Sequence, residues 1–116
     1  MPPPDPRTYL WDARRAAEHV VAFVQGRTWP EYEADLLLRS AVERQFEILG
    51  EALNKLRQLD PTTAEGVPNL ARIVAFRNVL IHGYASIDDA LVWEVATEHA
   101  PSLVGWLTDL LGTADG

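Results

Sequence analysis

The sequence predicts an all-α fold, an up-and-down bundle of four helices that becomes five if Pro101 divides the last one. Three observations lead there. Apolar residues recur every three or four positions over long stretches, and no stretch alternates with the period of two that a half-buried strand needs. Residues that start and stop helices cut the chain into four such stretches with short connections, which favours antiparallel neighbours. A length of 116 residues, 47% of them apolar and 23% charged, suffices for one hydrophobic core without disulfides or a structural metal. A single domain over residues 1–116 is expected, with residues 1–4 and 112–116 frayed.

The first helix runs from about Pro6 to Gln25, capped by Asp5 and stopped by Gly26, with Leu10, Ala13, Ala17, Val20 and Val24 turned inward. Thr28 and Glu31 form a capping box for a second helix that can reach Leu59, with Leu38, Val42, Gln45, Leu49, Ala52, Leu56 and Leu59 as its packing seam. Asp60-Pro61 stops it, and Thr62 to Val67 is the one sizeable loop. A third helix spans Pro68–Leu70 to His82–Gly83, where glycine offers a left-handed stop. Ser86 can cap a fourth, which reaches about Leu111. Pro101 lies inside it without an N–H to donate, so a kink or break is expected near His99 and Ala100.

Ten basic against seventeen acidic residues leave a net charge of −7, which argues against indiscriminate coating of nucleic acid. All the basic residues but Lys55 are arginines, suited to planar contact with phosphate or carboxylate. With no cysteine, thiol catalysis, CxxC redox chemistry and cysteine-rich zinc sites are excluded, and a reducing compartment fits. No apolar run approaches the roughly 18 residues of a membrane span. Met1-Pro2-Pro3-Pro4-Asp5 is unlike a signal peptide, so a cytoplasmic protein without a membrane partner is expected.

One feature conflicts with simple packing. With Leu70 at zero on a wheel of 100° per residue, Ile73, Val74, Leu80 and Ile81 fall within roughly 80° of it, yet Arg77 falls at about 340° and Tyr84 at about 320°. A guanidinium on that face needs a carboxylate, a wet cleft or another subunit, because burying it alone costs several kcal/mol. The plain structural alternative is an ion pair with Glu43, Glu47 or Glu51. His82 projects about 140° away from Arg77 on a regular helix, so either the helix end unwinds or a second chain completes a site. Its own structural alternative is a cap satisfying the helix dipole.

The remaining conspicuous residues read as structure. Trp11, Trp29, Trp93 and Trp106 suit core or subunit packing. Gly50 in mid-helix points to a close helix approach. No cofactor or metal is expected: His19 and His99 lack partners at ligand spacing, no Glu-x-x-His pair occurs, and Glu43, Glu47 and Glu51 read as a solvated edge or as partners for arginine.

The stretch Arg77-Asn78-Val79-Leu80-Ile81-His82-Gly83-Tyr84 resembles the R-x-x-x-x-H-x-Y signature of HEPN-domain proteins, in particular their HepT-like branch. The segment Ala41 to Ala52, with Glu43-Arg44 and Gly50-Glu51-Ala52, is similar to that family's second-helix signature, and Ile87-Asp88 and Val92-Trp93 also match its pattern. The likeness covers about Tyr9 to Leu110.

The resemblance implies a homodimeric, metal-independent RNA endonuclease, the toxin of a toxin–antitoxin pair. Its partner would be a minimal nucleotidyltransferase antitoxin that silences it by transferring AMP to Tyr84. In that family frame Arg77 steadies the phosphate, His82 handles protons and Asn78 orients the site. The residue types agree with cleavage by the ribose 2′-hydroxyl, which asks the protein only to move protons and to stabilise charge on phosphate oxygens. One motif histidine supplies either a proton acceptor or a donor, whereas a two-fold dimer supplies both. The expected site is therefore a composite of Arg77, His82 and Tyr84 from two chains. The alternative is a non-catalytic HEPN-like helical binding partner or substrate-presenting subunit of a nucleotidyltransferase; a plain dimerisation module is a third possibility.

Overall fold

The computed structural model describes residues 5–115, without the side chains of Tyr84 and of residues 113–115. The fraying expected at Met1 to Pro4 and at Gly116 lies outside the described residues. Every regular element among those described is helical.

Helix α1 (Pro6–Val24) starts where Asp5 accepts the Arg7 N–H at 2.9 Å, and Leu10, Ala13, Ala16, Ala17, Val20 and Val24 are all buried. Its small residues let two long helices approach, so α1 is sandwiched between α3 (Leu36–Leu59) and α7 (Ala100–Asp115). The Thr28–Glu31 capping box forms, but the helix it opens, α2 (Trp29–Ala34), is short. Asp35 adopts an extended backbone and its carboxylate accepts the Leu38 N–H at 3.0 Å, which starts α3 afresh. The continuous helix expected from Thr28 to Leu59 is thus two helices, because an aspartate competes for backbone donors better at a cap than inside a helix.

Helix α3 buries Leu38, Val42, Phe46, Leu49, Ala52, Leu53 and Leu56. Of the expected seam, Leu59 is 40% exposed and Gln45 is half-buried, its side-chain oxygen 3.1 Å from His19 Nδ1 on α1. The buried stripe is wider than a single seam because α3 packs against α1 and against α5 (Leu70–His82). The expected loop after Asp60 opens with one helical turn, α4 (Pro61–Ala64), capped by the Asp60 carboxylate; hydrogen bonds from Thr63 hold that carboxyl below its ordinary range.

Helix α5 matches its expected span. Asn69 precedes it in the left-handed region at φ 60°, a conformation asparagine tolerates. Gly83 has φ −111°, so the left-handed stop is not used, and the chain passes directly into a 3-10 turn, Tyr84–Ser86. The cap of α6 (Asp89–Glu94) is Asp88 rather than Ser86: its carboxylate accepts the N–H groups of Ala90 and Leu91 at 3.0 and 3.2 Å, while the Ser86 hydroxyl donates to the Gly83 carbonyl. The break expected before Pro101 appears as a π turn, Val95–His99, in which the Ala100 N–H reaches back five residues to the Val95 carbonyl. Helix α7 follows and continues past Leu111 to Asp115. No helix among the described residues is long and apolar enough to cross a membrane.

Trp29 and Trp93 pack around the fully buried Tyr32, with ring centroids 6.2 and 5.2 Å from it. Trp11 and Trp106 lie outside the core, being 52% and 51% exposed in the single chain, which leaves subunit packing as the expectation for them, and Arg14 lies 4.2 Å over the Trp11 ring. The Tyr32 hydroxyl is buried with no hydrogen-bond partner among the described residues; burial first, then Glu43 and Asp89, raises its pKa above the ordinary value. Leaving such a group unsatisfied costs about 1–3 kcal/mol. Tyr32→Phe is therefore expected to stabilise the fold by about 1 kcal/mol, a rise of about 4–8 °C in Tm. A fall in Tm on thermal melting would show the hydroxyl to be satisfied.

Candidate active site

Arg77 reaches its position through Gly50. A Cβ built on Gly50 would lie 2.7 Å from the Arg77 Cγ and closer still to its Cβ, so α5 rests on α3 at the one residue that leaves room. The close approach expected at Gly50 is therefore with α5. It brings the Arg77 guanidinium beside the next residue of α3, and Nη2 donates to Glu51 Oε2. Nη1 donates to Asn78 Oδ1 at 2.8 Å, and Nε is buried without a partner among the described residues. Of the three glutamates offered by the sequence, Glu51 takes the ion pair. The pair is not sealed, since the side chains of Arg77 and Glu51 remain 22% and 44% exposed.

Both residues border a cleft of about 330 Å³ between the start of α1, the middle of α3 and α5. Its cations are Arg44, Lys55 and Arg77 and its acids Asp12, Glu47 and Glu51, with Tyr9, Ile48, Ala52 and Ile81 as the less polar wall. Glu51 also pairs with Lys55 at 3.5 Å, and Glu47 with Arg44 at 3.5 Å. The acids thus neutralise the cations locally. Glu43, one turn further along α3, does not border the cleft; burial, then Asp89, raises its carboxyl above the ordinary range, with Arg39 opposing.

His82 is the last residue of α5, exposed, and not part of the cleft wall. The helix stays regular through it, so the azimuth of about 140° from Arg77 persists. The outer face of α5 carries Ala71, Arg72, Ala75, Asn78, Val79 and His82, all exposed, with Val79 at 54%. Within one chain, then, Arg77 and Asn78 come together and His82 stands apart. Tyr84 lies just beyond the helix, and its side chain is outside the described residues.

Two features escaped the sequence reading. Tyr9, Asp12, Arg44 and Lys55 join the cleft wall; the spacing of Arg44, Ile48, Glu51 and Lys55 along one edge of α3 was the available signal. His99, expected to lack partners at ligand spacing, has its ring within 4.8 Å of the carboxylates of Glu94 and Glu98. The π turn accounts for this, because its wider i→i+5 winding brings positions 94 and 99 towards one face that an α-helix would separate. All three are exposed, and among the described residues this is the set able to contact one cation.

The chain has relatives of similar size. A model of the family described as "Ribonuclease HepT-like" matches residues 13–107. The Methanocaldococcus jannaschii protein named "Putative RNase MJ1380" is 33% identical over 101 residues, covering 85% of this chain and 90% of that one. The Thermococcus cleftensis protein named "Probable ribonuclease HepT" is 31% identical over 105 residues, covering 85% and 89%. No solved structure matches significantly. A family model spanning most of the helical core and two relatives above 30% identity, matched over most of their length, agree with the Arg77-to-Tyr84 motif, and on that ground the chain belongs to the HepT-like ribonucleases of the HEPN group, a membership that supports ribonuclease activity.

Proposed function

We propose that the protein is a metal-independent endoribonuclease acting in the cytoplasm as the toxin of a toxin–antitoxin pair, with a composite site at a homodimer seam. The observation that carries the composite site is the division of the motif between two faces of α5. Arg77 borders the cleft toward α3, and His82 stands on an exposed outer face whose apolar member Val79 is 54% exposed. A second copy that meets this one at the end of α5 sets the two imidazoles beside a phosphate reached by Arg77 from the edge of the cleft, one imidazole able to accept the proton of the ribose 2′-hydroxyl and the other to protonate the leaving 5′-oxygen. Arg77 stabilises the charge that grows on the phosphate oxygens, and Asn78 holds one edge of its guanidinium. These steps need no Lewis acid.

Silencing acts on the same motif. AMP added to the phenol of Tyr84, two residues after His82 in the sequence, would compete with RNA for Arg77 by charge and obstruct the site by bulk. A second reading draws on the Arg77–Glu51 pair: an arginine already occupied suits a non-catalytic partner of the nucleotidyltransferase.

The test compares protein expressed alone and with a minimal nucleotidyltransferase. Protein expressed alone is expected to cleave RNA in excess EDTA. Coexpressed protein is expected to be silent and heavier by one or more AMP units, with no mass gain in Tyr84→Phe. A wild-type protein that leaves RNA intact yet binds the nucleotidyltransferase establishes the second reading instead.

A further inference from the structure

We propose that the cleft beside Arg77 is the track for an unpaired RNA strand, in which Tyr9 stacks on a base and Arg44 and Lys55 take the phosphates on either side of the one held at Arg77. The inference rests on the ribonuclease reading and adds the residues that bind the substrate away from the reacting atoms.

The three cations border one cleft, with Arg44 and Lys55 on the edge of α3 that also carries Glu51, the carboxylate that holds the Arg77 guanidinium. Arg77 packs over Gly50, while Arg44 and Lys55 belong to the same helix six residues before and five after that point. At 1.5 Å rise per residue they stand about 9 Å and about 7.5 Å from it along the axis of α3, a spacing suited to consecutive or next-but-one phosphates of an extended strand. Their present counter-ions are easily exchanged. The side chains of Arg44 and Lys55 are 68% and 51% exposed and meet Glu47 and Glu51 only at 3.5 Å. Such solvated pairs stabilise little, so a phosphate can replace the carboxylate at small cost.

Tyr9 supplies the wall from α1. It borders the cleft and is packed against the core, so its ring is already ordered and little freedom is lost when a base stacks on it. Stacking requires a base released from its helix, which favours an unpaired strand over a duplex. A net charge of −7 supplies no long-range attraction, so binding depends on these few contacts.

The test uses a short fluorescent RNA with 2′-O-methyl riboses, which cannot be cut for lack of a free 2′-hydroxyl, and reads its anisotropy on the full-length protein; cleavage of ordinary RNA is followed in parallel. Tyr9→Ala is expected to weaken binding about 5- to 150-fold, the range for losing one base–aromatic stack. Tyr9→Phe keeps the ring and is expected to keep the affinity, and Tyr9→Leu keeps the apolar packing but not the platform, so it behaves like Tyr9→Ala even if alanine loosens the fold. With three phosphates engaged, log K falls with log salt at a slope of about −2, reduced by about 0.7 in Lys55→Ala. The same strand annealed to its complement binds more weakly. Wild-type protein that cleaves RNA, with affinity unmoved by Tyr9→Leu and Lys55→Ala, overturns the track and leaves the nuclease reading standing. Binding that depends on both residues in a protein that does not cleave keeps the track and removes that reading; absence of binding and cleavage together removes both.

Discussion

Replacing wild-type chains by His82→Ala chains at constant total protein, with time for subunits to exchange, is expected to lower RNA cleavage as the square of the wild-type fraction. At equal amounts the activity falls to about one quarter of the undiluted value, because only wild-type pairs carry two imidazoles. If each chain held a complete site, the same mixture would retain about one half. The His82→Ala protein alone is expected to be slower by about 10²- to 10⁴-fold, the usual worth of a positioned acid or base. Arg77→Ala is expected to lose about 10²- to 10³-fold through lost charge stabilisation.

The quadratic expectation comes from the geometry of α5. Its backbone remains helical through His82, so no unwinding turns the imidazole toward the cleft where Arg77 lies. Intramolecular assembly would need the last turn to melt, and the Gly83 N–H is bonded to the Val79 carbonyl at 2.7 Å. A second copy reaches the outer face without any such change. A linear dependence in an active enzyme would place the whole site in one chain and dispose of the shared seam.

Local chemistry was legible in the sequence and long-range pairing was not. The span of α5, the inward stripe of α1, the Thr28 capping box and the break before Pro101 each follow from residues a few positions apart. Where two residues compete for one local role, the pattern misleads. Asp35 reads as one more polar residue on a long helix, yet it ends α2 and caps α3. Ser86 and Asp88 both offer a cap, and the carboxylate, the stronger acceptor, takes it. On an α-helix His99 has no partner at ligand spacing, and the π turn brings Glu94 within reach of it.

For the candidate site, the sequence marks Arg77 as a cation on a buried face and Gly50 as a place of close approach, as two separate observations. They are one contact, and it selects Glu51 over Glu43 and Glu47, since the residue after the glycine is the carboxylate within reach. Tyr9 and Lys55 enter the cleft from positions 68 residues before and 22 residues before Arg77, separations that helical periodicity does not address.

That contact sets the second large effect. Alanine in place of glycine inside a helix ordinarily stabilises it by about 1 kcal/mol. Gly50→Ala is expected to do the reverse, because the new methyl group meets the Arg77 Cβ and Cγ, and a Cβ is fixed to its backbone and cannot rotate away. Relief requires α5 to lift from α3 as a unit, at the cost of about 1–3 kcal/mol usual for overpacking, beyond what the helix propensity returns. The lift also draws the guanidinium from Glu51 and from the cleft, so RNA cleavage is expected to fall more steeply than stability alone requires. Gly105 in α7 is the control: nothing among the described residues lies within 4 Å of a Cβ there, so Gly105→Ala should raise stability by about 0.5–1 kcal/mol with cleavage unchanged. Thermal melts and cleavage rates of the two variants, measured side by side, decide the matter. A Gly50→Ala protein as stable and as active as Gly105→Ala would mean that α5 does not sit on α3 at this residue, and the position of Arg77 would lose its physical basis.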